Sequence, residues 1–231
     1  MNKSLVFISL VVSALCLSFQ QKMRDINVSI QPTFKNENLV LNNVKYVTGK
    51  NDTVTISTFK FYISNVEVEF ENGTSYKEPQ SYYLIDLENE KSLQFQLKNA
   101  PDLKIKQLTF NVGIDSTTNV SGNLEGNLDP ALGMYWAWNS GYINMKLEGK
   151  SSSCKSVKKE FQFHIGGYLP KQNALQRIVL DFPKNTTDIQ LKVDISIWLD
   201  EVALKQTNSI MIPGAEAIAI SELYKKMFSV E

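Results

Sequence analysis

The sequence predicts an all-β fold, an antiparallel β-sandwich or partly open barrel that carries one C-terminal α-helix. Three observations lead there. Apolar and polar residues alternate at period two over most of the chain after Val54. Asn, Gly and Pro turns cut this alternation into many short runs. A three- and four-residue apolar spacing is convincing only near the C-terminus. With 231 residues, of which 43% are hydrophobic, the chain can bury one sizeable core. No fixed-period repeat or low-complexity linker divides it, so residues 19–231 read as one β domain behind residues 1–18.

The first element is a leader. Lys3 precedes an uncharged apolar run from Leu5 to Leu17 that is too short to span a bilayer, the pattern of a secretory signal peptide cleaved near Ser18. The mature chain is then periplasmic, secreted or held in the cell envelope and has no transmembrane span. Acylation at Cys16 is the weaker alternative, because Leu15 is bulkier than lipoprotein processing normally accepts. With Cys16 removed, Cys154 is the only thiol. It lies in the polar stretch KSSSCKSVKK and reads as a solvent-facing loop cysteine rather than a thiolate ligand.

Strands come next. Val54 and Ile56 share one parity, Phe59, Phe61 and Ile63 the next, and Val66, Val68 and Phe70 a third, which places bulges near Ser57 and Ser64. Further strands are expected at Leu93 to Leu97, Ile105 to Val112, Met134 to Leu147, Glu160 to Ile165, Leu175 to Phe182 and Ile189 to Val202. In the last, Val193, Ile195, Ile197 and Leu199 alternate with polar positions, and Trp198 falls on the polar parity as a packing or surface residue. The helix follows Pro213 and Gly214, with Ala217, Ile220, Tyr224 and Met227 on one stripe. Lys225 and Lys226 sit in its last turn, where positive charge suits the helix dipole.

Two segments carry the candidate chemistry. In GMYWAWNSGY, Gly133 to Tyr142, a strand would project Met134, Trp136 and Trp138 from one face. In FQFHIGGY the only histidine, His164, would leave its strand opposite Phe161, Phe163 and Ile165. A thioether, two indoles and an imidazole then suit a soft metal ion, with His164, Met134 and Trp136 as candidate ligands and Trp136 and Trp138 as aromatic walls. The plainer reading is that all four pack, since Trp and Met are common core residues and a lone histidine is usually a hydrogen-bonded neutral imidazole. Upstream, Asp115, Asn119 and Asp129 lie in an oxygen-rich segment and are candidate calcium ligands, against the plainer reading of turn residues.

Charge and motifs exclude other classes. Lysine plus arginine and aspartate plus glutamate both number 24, so no excess positive charge is available to displace counterions from nucleic acid. No paired-histidine zinc helix, CxxC, phosphate-binding glycine loop or nucleophile elbow is present, and no carboxylate pair stands out, so the chain is not expected to be an enzyme.

The block GIDSTTNVSGNLEGNLDPALGMYWAWNSGYINMKLEG, followed by FHIGGY, resembles the copper-binding MbnP-like family of exported bacterial proteins. FKFYISNVEVEFENG, SYYLIDLEN and MIPGAEAIAISELYKKMFS agree, so the resemblance spans nearly the whole mature chain. It implies a copper-binding or copper-handling role. It also implies that a tryptophan is oxidised to kynurenine by a dihaem cytochrome c peroxidase-like partner, with Trp136 or Trp138 as precursor and His164 as imidazole ligand. The chain departs from the family's best-known sites, which use histidines in the plural, because it contains one histidine. The alternative function is a non-metal binding module of the envelope that uses exposed aromatics for a carbohydrate or protein ligand.

Overall fold

The computed structural model describes residues 21–122 and 124–231. The leader, with residues 5–17 and Cys16, lies outside them. In chain order the strands are β1 (Met23–Phe34), β2 (Glu37–Asn38), β3 (Tyr46–Val47), β4 (Thr53–Phe70), β5 (Ser75–Lys77), β6 (Tyr82–Asp86), β7 (Gln94–Pro101) and β8 (Ile105–Val112). They continue as β9 (Tyr135–Trp136), β10 (Gly141–Ser151), β11 (Glu160–Gly166), β12 (Gln176–Thr186), β13 (Ile189–Asp194), β14 (Ser209–Ile210) and β15 (Phe228–Val230). The helices are α1 (Ser116–Val120), α2 (Ile195–Glu201), α3 (Ala215–Ser221) and α4 (Tyr224–Met227), the last two forming the expected C-terminal helix in two short pieces.

These strands make two sheets that face each other and do not close into a barrel. The smaller has five strands in the order β15-β13-β1-β2, with β7 also on β1, and the larger has ten along the path β12-β8-β4-β10-β11-β14. Apolar residues of one parity fill the space between them. Phe228 of the small sheet meets Phe61 and Phe110 of the large one edge-on, with ring centroids 5.7 and 5.2 Å apart. Two pairings are parallel, β1 with β13 and β11 with β14, so the sandwich is mixed rather than purely antiparallel.

The long strand β4 organises the large sheet. Both expected bulges occur: the register against β10 slips at Ser57, and that against β8 slips between Ser64 and Glu67, where Asn65 adopts a φ of 52°. These slips keep Val54, Phe59, Phe61, Ile63, Val66 and Val68 all facing the core. One edge of β4 pairs with β10 as far as Phe61 and with β8 from Ile63 onward, so the ends of β8 and β10 abut. Gly113 and Asn144 fill that junction. A Cβ on Gly113 would lie 2.2 Å from the Asn144 side chain, whose Oδ1 accepts the Ile114 N–H at 3.2 Å.

Two expectations change, and of the packing and surface readings of Trp198 the packing one holds. The run Ile189 to Val202 breaks at Asp194, whose side chain accepts the Ser196 N–H at 2.9 Å and caps α2. Helical period then replaces alternation, and Ile195, Trp198 and Leu199 are all buried. Trp198 is therefore core, with its ring 4.8 Å from that of Phe163. Cys154 is fully buried in the main core instead of facing solvent, because the turn that joins β10 to β11 folds inward, with the Cys154 N–H donating to Ser151 O. Burial pushes its thiol above the ordinary range. No described helix is long and apolar enough to cross a membrane.

Candidate functional site

Residues 113–122 and 124–134 fold back as a lid over the outer face of the large sheet. It encloses a second apolar cluster in which Tyr62, Leu84, Leu128, Met134, Trp136 and Tyr142 take part. Polar side chains fasten it. Asp115 caps α1 by accepting from Thr118 N and Oγ1 at 2.9 and 3.0 Å, and Asn119 donates to Ile114 O and accepts the Tyr142 N–H, both at 2.9 Å. The Tyr62 and Tyr142 hydroxyls donate to Asn127 O and Leu128 O at 2.9 Å each. Burial pushes the Tyr142 hydroxyl up to about 12.

The oxygens of the calcium candidates are thus engaged by chain donors. Asp129 caps a separate turn by accepting the Ala131 N–H at 2.8 Å, away from the cap that Asp115 and Asn119 share. Among the described residues no three His, Cys, Asp or Glu side chains are grouped to hold a metal ion.

The expected strand Met134 to Leu147 is a hairpin. β9 pairs with β10 through Trp136 opposite Gly141 and Tyr135 opposite Tyr142, and Ser140, at a φ of 46°, closes the turn between them. The turn ends the alternation that would have aligned the three side chains. Met134 is fully buried in the lid cluster and Trp136 is 6% exposed, while Trp138 is 64% exposed. The two indoles remain in contact, tilted, with ring centroids 5.7 Å apart.

His164 sits on the outer face of β11, and its strand neighbours Phe163 and Ile165 point into the core. Directly across lies Lys146 of β10, and across from that Lys60 of β4. Glu148 Oε1 is 2.6 Å from His164 Nε2. Burial, aided by the Lys146 charge and opposed by Glu148, holds the imidazole below its ordinary value of 6.5, so it is neutral at pH 7. Burial also tends to raise the Glu148 carboxyl, but the His164 hydrogen bond and the Lys146 charge outweigh it and hold it below 4.5. A carboxylate can only accept, so Nε2 carries the proton and Nδ1 keeps its lone pair.

Trp136 of β9 reaches the same strand at Gly166. A Cβ on Gly166 would lie 3.0 Å from Trp136 Cζ3, so the indole rests on Gly166, two residues from His164 and on the same face of β11. The structure thus joins Trp136 to the strand face that carries His164, leaves Trp138 outside it in tilted contact, and buries Met134 in the same apolar cluster as Trp136. Sequence reading passed over Glu148, Lys146 and Gly166. The signal for the first two was present, since Lys146 and Glu148 hold the polar parity of INMKLEGK. Gly166 needed the third dimension, because only the lid reveals what occupies the missing side chain's place.

Comparison with known proteins agrees with this architecture. MbnP from Methylosinus trichosporium superposes with a TM-score of 0.60 at 12% identity, over 84% of this chain and 83% of that one, a likeness of fold. No curated protein matches the sequence. The family model MbnP matches residues 23–212, a span that holds the lid, the tryptophan hairpin and His164, and the chain therefore belongs to the MbnP family.

Proposed function

We propose that this chain is an exported copper-handling protein whose Trp136 is oxidised to kynurenine by a dihaem cytochrome c peroxidase-like partner. The observation that carries the reading is the placement of the Trp136 ring on Gly166, beside a neutral His164 whose Nδ1 lone pair is free of Glu148. A carboxylate that fixes one ring nitrogen while the other binds metal is the usual support of an imidazole ligand.

The residues fit copper in part. Cuprous ion accepts imidazole nitrogen and soft or neutral donors behind an apolar wall. His164 would hold it through Nδ1, and the aryl amine that kynurenine formation releases from the Trp136 ring would be the second donor. In that four-electron oxidation two equivalents of hydrogen peroxide, reduced to two waters with the partner's haems carrying the electrons, would cleave the indole C2–C3 bond with insertion of two oxygen atoms to give N-formylkynurenine, and hydrolysis by one water would then free C2 as formate. One imidazole and no further His, Cys, Asp or Glu set among the described residues make tight binding depend on that conversion. Trp138, exposed and in tilted contact with Trp136, is the indole within reach of a partner's surface.

The test is intact mass after co-production with the partner, combined with copper titration of wild type, His164→Ala and Trp136→Phe. The expected result is the kynurenine mass in wild type, its absence in Trp136→Phe, and copper affinity reduced by about tenfold or more in both variants. An unmodified mass together with equal affinity in all three proteins removes the reading. Binding of neutral glycans abolished by Trp138→Ala but indifferent to chelation would replace it with the aromatic binding module.

A further inference from the structure

The outer face of the small sheet has a different chemistry. Period-two alternation sends Ile26, Val28 and Ile30 into the core and turns Asn27, Ser29 and Gln31 outward. Register adds neighbours of the same kind on both sides of Ser29, and Lys192 beside Gln31. Gln94 of β7 lies opposite Ser29, which lies beside Gln190 of β13, and Gln96 lies opposite Asn27. The row Gln94–Ser29–Gln190 is roughly 10 Å across, from the spacing of adjacent strands.

This face is hollowed. Two depressions of about 990 and 670 Å³ share Ser29 and Gln94, and together they form one trough along β1. It is an open groove, and it lies where the pairing of β1 passes from β7, whose pairing ends at Ser29, to β2, whose pairing begins at Thr33, leaving Ile30, Gln31 and Pro32 without a strand partner on that edge. Leu39 and Val40 wall one side, Leu87 and Leu93 the other. The floor carries amides and a hydroxyl. The charged lining residues balance, with Glu88 and Glu90 against Lys91 and Lys98. The side-chain amides of Gln94 and Gln190 make no hydrogen bond to another described residue.

We infer that this trough binds a neutral oligosaccharide, independently of copper. A primary amide offers a donor and an acceptor side by side, which matches a pair of adjacent sugar hydroxyls. An amide floor between leucine and valine walls suits a ring with polar edges and apolar C–H faces. A charge-balanced lining gives an ionic ligand nothing to neutralise. The combined volume exceeds what a single small ligand of about 300 Å³ fills and suits several linked sugars.

The experiment is calorimetric and NMR titration of the mature protein with cellohexaose, maltohexaose, xylohexaose and chitohexaose. The controls are an extended polar peptide and an acidic oligogalacturonide. Binding of at least one neutral hexaose, weakened about tenfold or more in Gln94→Ala/Gln190→Ala and unchanged by His164→Ala or by chelation, supports the inference. Both glutamines are exposed, so that variant keeps the fold. The inference is overturned if no neutral hexaose binds at millimolar concentration or if the double variant binds as wild type does. It is equally overturned if only the acidic glycan or the peptide binds. None of these outcomes bears on the copper reading, which stands or falls on His164 and Trp136.

Discussion

The two outer faces of the sandwich present opposite solutions to the same problem, a polar surface on an apolar core. On the large sheet charged outward residues find partners: Asp86 and Glu88 hold Lys60 at 2.9 and 3.3 Å, and the Glu148 carboxylate accepts from the neutral His164 at 2.6 Å. A lid covers part of that face, and half-buried charges must be paired because an unpaired one is costly. On the small sheet the row around Ser29 lies open and carries neutral groups, with charge confined to its margins at the Asp25–Lys98 pair and at Lys192, and Gln94 and Gln190, without a side-chain hydrogen bond to another described residue, cost little because water reaches them. The comparison teaches that burial fixes geometry and shifts protonation on one face, while exposure leaves the other available.

The strongest way to break this contrast is to remove the side chain that seats the lid. Trp136→Ala is expected to cost about 3–5 kcal/mol of stability by denaturant unfolding, the loss typical of a large buried aromatic. Gly166→Ala attacks the same contact from below, since its Cβ would lie 2.5 Å from Tyr142 O and 3.0 Å from Trp136, and about 1–3 kcal/mol is expected. If either variant unfolds like wild type, the lid is not held through Trp136.

Glu148→Ala sharpens the electrostatic half. It strips His164 of its acceptor, for an expected loss of about 1–3 kcal/mol, and moves the imidazole further below 6.5, because Glu148 is the group that favours its charged form. NMR titration of the single histidine reads that shift directly. An upward movement would show that Glu148 does not support the charge.

Next in size is the pH dependence. An imidazole whose folded value lies below its unfolded value binds fewer protons when folded, so stability falls as pH drops from about 6.5 toward the folded value. Glu148 acts in the same direction in a lower window, where stability is lost as pH falls below 4.5 and through its folded value. Unfolding curves for wild type and His164→Gln should therefore converge as pH falls through the upper window. Parallel curves would contradict the buried neutral histidine. The smallest effect is expected on the open face, where Gln94→Ala and Gln190→Ala should each change stability by no more than about 0.5 kcal/mol.

Much of the fold was legible in period-two alternation. The strand expected at Ile105 to Val112 matches β8, the bulges in β4 fall where the apolar parity changes, and the C-terminal stripe is helical. β1 was not read, although Ile26, Val28 and Ile30 alternate; its partner β13 lies about 160 residues away. Ile189 to Val202 fits both periods over part of its length. The Asp194 cap decides between them, and a capping contact is decided by local backbone geometry, which alternation does not encode.

The candidate site was legible as residue types and motifs but not as an arrangement. Trp136 and His164 were singled out together, and they occupy adjoining places on one sheet face. Met134 and Trp138 were placed with them by alternation; Met134 stays in the apolar cluster that holds Trp136, while the turn at 137–140 carries Trp138 into solvent.

Composition, alternation and the motif block by themselves determined the β-rich class, most strand positions, the family resemblance and the small set of residues able to carry chemistry. Those are properties of short windows, where each side chain's neighbours are its neighbours in the chain. Only the tertiary structure decided that two strand pairings are parallel, that Cys154 and Trp198 are core, that Glu148 sets the tautomer of His164, and that β1 gathers amides from three strands into one trough. Each of these depends on which distant strand lies alongside. That choice minimises the free energy of the whole packed chain and is not contained in any one window of it.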